Sequence, residues 1–313
     1  MSYLGRLRGL VQRPDLAIVH RFRPPPYGGS NQFLVALRGE LRRRGLRVSD
    51  GAIGPTTQAC LLHSYLVDVD ELRRALRPSV RVVHRVDGPI TLYRGRDDGA
   101  DRRITEINHA LADATIFQSR YSIEAHRELG IELRAPVLIP NAVDDTIFHP
   151  PTSRPPLQGR RVRVVATSWS DNPRKGGATY AWLARNLDRA RYELTFVGRA
   201  SEPVAAEHVV GPVGSAELAE ILRRQDVYVT ASRNEACSNA VLEALACGLP
   251  TLYVRSGSNA ELVGEAGLGF ERDDELPELL DRLVDELEER RASISILSLA
   301  EVADRYLDVL GLA

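Results

Sequence analysis

Short apolar runs alternate along most of the chain with stretches whose apolar residues recur every three to four positions. The runs predict strands at Leu16–His20, Ala59–His63, Val80–Arg85, Ala114–Gln118 and Val137–Ile139, and again at Val162–Thr167, Tyr192–Gly198, Val227–Thr230 and Thr251–Val254. The periodic stretches predict helices at Asn31–Arg44 and Ser119–Leu129, then at Gly177–Leu187, Ala216–Arg224, Asn239–Cys247 and Glu275–Glu289. Continuously apolar strands alternating with amphipathic helices point to parallel sheets covered on both faces, an α/β fold. The pattern breaks once. The segment Phe148–Pro156 holds Pro150, Pro151, Pro155 and Pro156, followed by Gly159 and two arginines, and reads as a stiff, exposed linker. The expected domains are therefore 1–149 and 150–313. The tail Ile294–Leu310 reads as one or two helices, with 294–313 a candidate to pack back on the first domain. The first fifteen residues are basic and carry Leu4, Leu7, Leu10 and Val11 on a helical stripe.

Composition narrows the class. At roughly 150 residues per domain, 313 residues suit two domains. The balance of 41 basic and 42 acidic residues removes the positive field of a dedicated nucleic-acid binder, so no nucleic-acid partner is expected. Cys60, Cys237 and Cys247 make no disulfide framework and no CxxC zinc pair, which suits a reducing compartment. No apolar run approaches the ~18 residues of a membrane span, and no leader pattern opens the chain. A cytoplasmic location is expected. Arg42, Arg43 and Arg44, with the basic N-terminus, are candidates for weak contact with anionic lipid at the inner membrane face; the simpler reading is a solvated face.

In open parallel sheets, ligands bind beyond the carboxyl ends of strands, and three constellations fall there. Pro24-Pro25-Pro26-Tyr27-Gly28-Gly29-Ser30-Asn31 follows the first strand; the glycine pair admits close backbone approach and the next helix offers free amides to an anion, or the segment is a plain turn. Asp171-Asn172-Pro173-Arg174-Lys175-Gly176-Gly177 sets two cations and two glycines before a helix. It suits phosphate oxygens, or is a solvated helix start. Lys175 is the one lysine in an arginine-rich chain, and a solvated lysine has little reason to persist there. The third runs from Ser232 to Pro250. Glu235 lies in a polar loop after a strand, and Glu243 two turns into the following, mostly apolar helix. A carboxylate there is costly unless hydrogen-bonded, and a sugar diol supplies two donors. A diphosphate could rest on the helix N-terminus between the glutamates. A surface-facing Glu243 is the bland alternative.

The segment from Glu235 to Glu243 resembles the E-x7-E motif of the retaining glycosyltransferases of family 4. Ile139-Pro140-Asn141-Ala142-Val143-Asp144 with Phe148-His149-Pro150, Arg174-Lys175-Gly176, Phe196-Val197-Gly198, Gly211-Pro212-Val213 and Gly28-Gly29 match further motifs of that family in order, over about residues 16–285. The resemblance implies the GT-B fold, two Rossmann-like doubly wound domains facing a central cleft. It implies a donor site in which Glu243 takes the ribose hydroxyls and Glu235 the sugar. The backbone of Ser238, Asn239 and Ala240, with Lys175 and Gly29, holds the diphosphate; Gly28, Arg174 and Cys237 belong to the same donor site, and Val213 faces the base. The donor is a UDP- or GDP-linked sugar acting as co-substrate, no cofactor or metal is needed, and the N-terminal domain binds a hydroxyl acceptor.

Departures accompany these matches. Trp169 stands where the family usually has a phosphate-binding arginine, so that Arg174 substitutes or Trp169 stacks on a ring; Ala142 replaces a glycine. His84 and Asp87, in His84-Arg85-Val86-Asp87-Gly88, are candidates for catalysis near the reacting sugar, or a strand-end histidine and a turn aspartate. Asp68-Val69-Asp70 looks like a metal motif but reads better as a helix start. No G-x-G-x-x-G or G-x-S-x-G supports a dehydrogenase or hydrolase. Two alternatives to a hexose-transferring enzyme stay open: a non-catalytic nucleotide-sugar-binding subunit, kept in play by Trp169, and a nucleotide-sugar epimerase of the same fold.

Overall fold

The computed structural model describes residues 13–24, 28–63, 65 and 67–313. The apolar stripe at Leu4–Val11 and residues Pro25, Pro26 and Tyr27 lie outside the described residues. The chain forms two compact units, each built on a six-stranded parallel sheet. Residues 31–141 form the body of the first and 142–296 that of the second; the short segment 24–30 groups with the second, and the C-terminal 297–313 with the first. The division thus falls at Asn141–Ala142, ahead of the proline-rich segment.

In the first unit the strands are β1 (Leu16–Val19), β2 (Val48–Ser49), β3 (Ala59–His63), β4 (Arg81–Arg85), β5 (Ala114–Phe117) and β6 (Pro136–Leu138), in the order β2-β1-β3-β4-β5-β6. The helices are α1 (Gly29–Arg43), α2 (Val69–Ala75), α3 (Ile90–Arg94), α4 (Ala100–Leu111) and α5 (Arg120–Glu128). Apolar residues at alternating strand positions, Ala17, Cys60, Leu62 and Val82, pack against Leu72 of α2 and Ile107 of α4. The Asp68 side chain caps α2, accepting from the Glu71 amide at 2.9 Å. Arg43 and Arg44 pair with Glu40, and Arg42 donates to the Val48 carbonyl, so this basic run is tied down within the fold.

In the second unit the strands are β7 (Val162–Ser168), β8 (Tyr192–Gly198), β9 (His208–Val210), β10 (Val227–Thr230), β11 (Thr251–Val254) and β12 (Gly267–Phe270), in the order β12-β11-β10-β7-β8-β9. Its helices are α6 (Gly177–Asn186), α7 (Ser215–Arg223), α8 (Asn239–Ala246), α9 (Asn259–Val263), α10 (Leu276–Asp285) and α11 (Leu287–Ala292). The predicted helix at Glu275–Glu289 is thus split at Glu286. Both faces of this sheet are buried. Val162, Val164 and Ala166 join one core with Tyr180 and Leu183 of α6 and Leu280 of α10. Val165, one step out of phase, joins the other with Leu222 of α7 and Leu245 of α8. Arg154, in the proline-rich segment, donates to the Gln225 carbonyl at 2.6 Å, and Arg160 grips Asp226 through both Nη atoms at 2.6 and 2.8 Å.

The last helix, α12 (Leu299–Leu310), belongs to the first unit. It opens on a reciprocal Ser298–Glu301 capping box, and Tyr306 packs 5.8 Å from the Phe33 ring. Each sheet has one place where the strand order reverses, between β1 and β3 in the first and between β7 and β10 in the second. Connections leave to opposite faces there and open a crevice at the carboxyl ends.

Candidate functional site

At the reversal point of the second sheet, the chain leaves β7 through Trp169 and Ser170. A single 3₁₀ turn, Pro173–Lys175, follows, held by Asn172, whose Oδ1 accepts from the Arg174 amide at 3.0 Å. Gly176 ends that turn at φ +81°, and a Cβ there would sit 2.7 Å from the backbone carbonyl of Ala231, just beyond β10. Glycine therefore lets the two strand-end loops touch. The Arg233 amide donates to the Arg174 carbonyl at 2.8 Å and ties them.

This arrangement brings Lys175 to Glu235. The Lys175 Nζ donates to Glu235 Oε1, which also accepts from Ser232 Oγ at 2.5 Å. Both side chains are largely but not wholly buried, at 22% and 13% exposure. The Glu235 loop is braced from behind. Asn234 takes φ +57°, a conformation asparagine tolerates. Its amide donates to Ser256 Oγ at 3.1 Å, and the Ser258 amide donates to the Glu235 carbonyl at 2.9 Å. Asn259 donates to the Ser232 carbonyl at 3.0 Å. Ser232 opens the third constellation but had no role assigned to it there; Gly257 and Asn259 were missed, and the polar Ser256-Gly257-Ser258-Asn259 run after a strand was the available signal.

Three residues beyond Glu235, Ser238 caps α8, and the amides of Asn239 and Ala240 open the helix. Glu243 is the fifth residue of α8, little more than one turn in, not two. At 1.5 Å per residue it lies about 6 Å along the axis from the helix start. Part of the residue is exposed, yet the surrounding protein desolvates its carboxyl and pushes it up to about 8. No protein group among the described residues hydrogen-bonds it. Cys237 and Val213 are half-buried against the α7–α8 core. The Asn239 side chain donates through Nδ2 to the Gly29 carbonyl at 2.7 Å within the same unit, beside Gly28 at φ +20°. Trp169 is half-buried and carries the Arg199 guanidinium 5.7 Å from its ring centroid. Arg199 follows β8, to which β7 pairs through Ser168 and Gly198.

The first unit holds a second polar cluster, also at its reversal point. His20 follows β1, His63 ends β3, and their rings lie 5.0 Å apart. Arg85, the last residue of β4, is fully buried and donates to His63 Nδ1 at 3.1 Å, to Asp87 at 2.8 Å and to Asn141 at 2.9 Å. Asn141 belongs to the Ile139–Asp144 motif, whose asparagine therefore anchors a guanidinium. His84 points elsewhere: it is 0% exposed, with Nδ1 3.4 Å from the Asn108 amide nitrogen. The imidazole that nears Asp87 is His63, its Nε2 3.8 Å from Oδ2. Burial pushes His63 down to about 3 despite the opposing pull of the Asp87 charge, and burial also lowers His20.

Residues 173–289 match the family profile described as "Glycosyl transferases group 1". A curated relative, the MMP α-(1→4)-mannosyltransferase of Mycolicibacterium hassiacum, is 29% identical over 199 residues, covering 55% of this chain and 47% of that protein. The match thus spans about half the relative's length. Among solved structures, sucrose-phosphate synthase of Thermosynechococcus elongatus is similar with a TM-score of 0.72 at 16% identity, over 95% of this chain and 99% of that one. HepE of Anabaena, solved with UDP and glucose, gives 0.69 at 15% identity, over 96% and 97%. No described helix is long and apolar enough to cross a membrane. The chain has the two-sheet architecture of the GT-B glycosyltransferases, and its residues 173–289, which include Lys175, Glu235 and Glu243, match the group 1 glycosyl transferase profile.

Proposed function

We propose that this protein is a retaining, metal-independent glycosyltransferase that moves a hexose from a UDP- or GDP-linked donor to a hydroxyl acceptor, of cell-envelope or secondary-metabolite type. The observation that carries this reading is the meeting of Lys175 and Glu235 at the reversal point of the second sheet, three residues ahead of the Ser238 cap of α8. The ammonium and the carboxylate form an ion pair. A donor replaces both partners at once, its diphosphate taking the ammonium and its sugar hydroxyls donating to the carboxylate.

As the anomeric bond breaks, negative charge builds on the leaving diphosphate. Lys175, Arg174 and the first amides of α8 stabilise it with charges already in place, which is electrostatic catalysis without a metal. Glu243, desolvated and with no hydrogen-bond partner for its carboxyl among the described residues, takes the ribose hydroxyls, which supply hydrogen bonds to it. Val213 backs the base. Asp87, partly exposed in the first unit, meets the acceptor. Retention follows the resemblance to family 4. Glu235→Ala should abolish sugar transfer while leaving the circular dichroism spectrum and melting temperature near wild type; full retained transfer rejects the role. Incubating donor without acceptor separates an epimerase, which would isomerise it.

A further inference from the structure

The polar cluster of the first unit has a geometry that the donor site does not explain. Arg85 can only donate, so the 3.1 Å contact makes His63 Nδ1 an acceptor and places the ring proton on Nε2. Asp87, bound to the same guanidinium at 2.8 Å, is held as a carboxylate. A neutral N–H donor and an anionic acceptor therefore face each other across 3.8 Å, too far for a hydrogen bond between them. An oxygen atom at about 2.8 Å from each closes that triangle without strain. A hydroxyl is the group that both accepts one hydrogen bond and donates another. The gap lies at the reversal point of its sheet, where a ligand crevice is expected. Asp87 is 34% exposed, so its carboxylate is reachable from solvent.

We propose that His63 and Asp87 together hold one hydroxyl of the sugar acceptor, which donates to Asp87 Oδ2 and accepts from His63 Nε2–H. Arg85 is the positioning residue: it sets the His63 tautomer and the Asp87 carboxylate plane, and is itself steadied by Asn141. This rests on the glycosyltransferase reading and names the acceptor-binding groups within it.

The test uses the full chain, a panel of methyl glycosides as acceptors, and UDP- and GDP-sugars as donors. His63→Leu should raise the acceptor KM about tenfold or more, the loss expected for a hydrogen bond to a group that also binds a charge, while UDP or GDP affinity stays at the wild-type value. His63→Gln, which keeps a neutral N–H donor, should recover most of the loss. Long-range proton–nitrogen spectra of the labelled protein at pH 7 should show His63 protonated on Nε2 alone. A His63→Leu enzyme with unchanged acceptor KM overturns the proposal but leaves the donor reading intact, as does a His63 protonated on Nδ1. A wild-type chain that transfers to no acceptor and binds no nucleotide overturns both.

Discussion

Gly257→Ala isolates what holds Glu235 in place. Gly257 has φ +62°, and a Cβ there would lie 2.6 Å from the Glu235 amide nitrogen and 2.7 Å from its carbonyl oxygen. Two effects add. An L-residue in the left-handed region costs about 1–2 kcal/mol. The overlap forces the Glu235 backbone back by roughly 0.8 Å to reach ordinary contact, and displacement near 1 Å at a reacting centre lowers rate by about 10²-fold. Gly159→Ala is the control, since Gly159 also has a positive φ, +81°, but no atom lies within 4 Å of its Cβ position. Both variants should lose about 1–2 kcal/mol in urea denaturation, Gly257→Ala somewhat more, while Gly257→Ala alone should lose about two orders of magnitude in kcat/KM. Equal stability and full activity in the two variants would refute the claim that the 256–259 segment sets the Glu235 geometry.

Other outcomes follow from burial and charge. The folded protein holds the Glu243 proton to about pH 8, whereas an unfolded glutamate releases it near 4.5. The folded state therefore binds the extra proton between these values, and stability falls as pH rises through that window. Glu243→Gln lacks this slope, so its melting temperature should gain on wild type steadily from pH 5 to pH 9; a constant difference contradicts the desolvated carboxyl. Asp226 is buried and accepts from both Nη atoms of Arg160 and from the Arg163 amide. Arg160→Met strands that carboxylate and should cost about 3 kcal/mol in urea denaturation; an unchanged midpoint would show the pair to be dispensable.

The sheets were legible because their strands are apolar on both faces. In β1, Leu16, Ala17 and Ile18 are fully buried and leave no polar side for solvent, and such a run lies inside a covered sheet. Strands β2, β9 and β12 were missed: the first two are too short to carry a periodicity, and β12 (Gly267–Phe270) has glycine at two of its four positions. Helix α4 went unread because Asp101, Arg102 and Arg103 crowd its first turn, and the break at Glu286 because the apolar spacing runs on through it. At the site, the spacing of Glu235 and Glu243 is local and was readable from the chain. The Lys175–Glu235 contact joins residues 60 positions apart, and Arg85–Asn141 joins residues 56 apart. Neither leaves a local trace. His84 and His63 look alike as strand-end histidines; only the packing shows that the first is shut in against Asn108 and the second reaches Asp87.

The most direct measurement is a crystal structure of the protein grown with UDP or GDP. The diphosphate should lie against Lys175 and the first amides of α8, with the ribose hydroxyls on Glu243 and the Lys175–Glu235 contact exchanged for contacts to the nucleotide. A nucleotide bound elsewhere, with Lys175 still on Glu235, would contradict it.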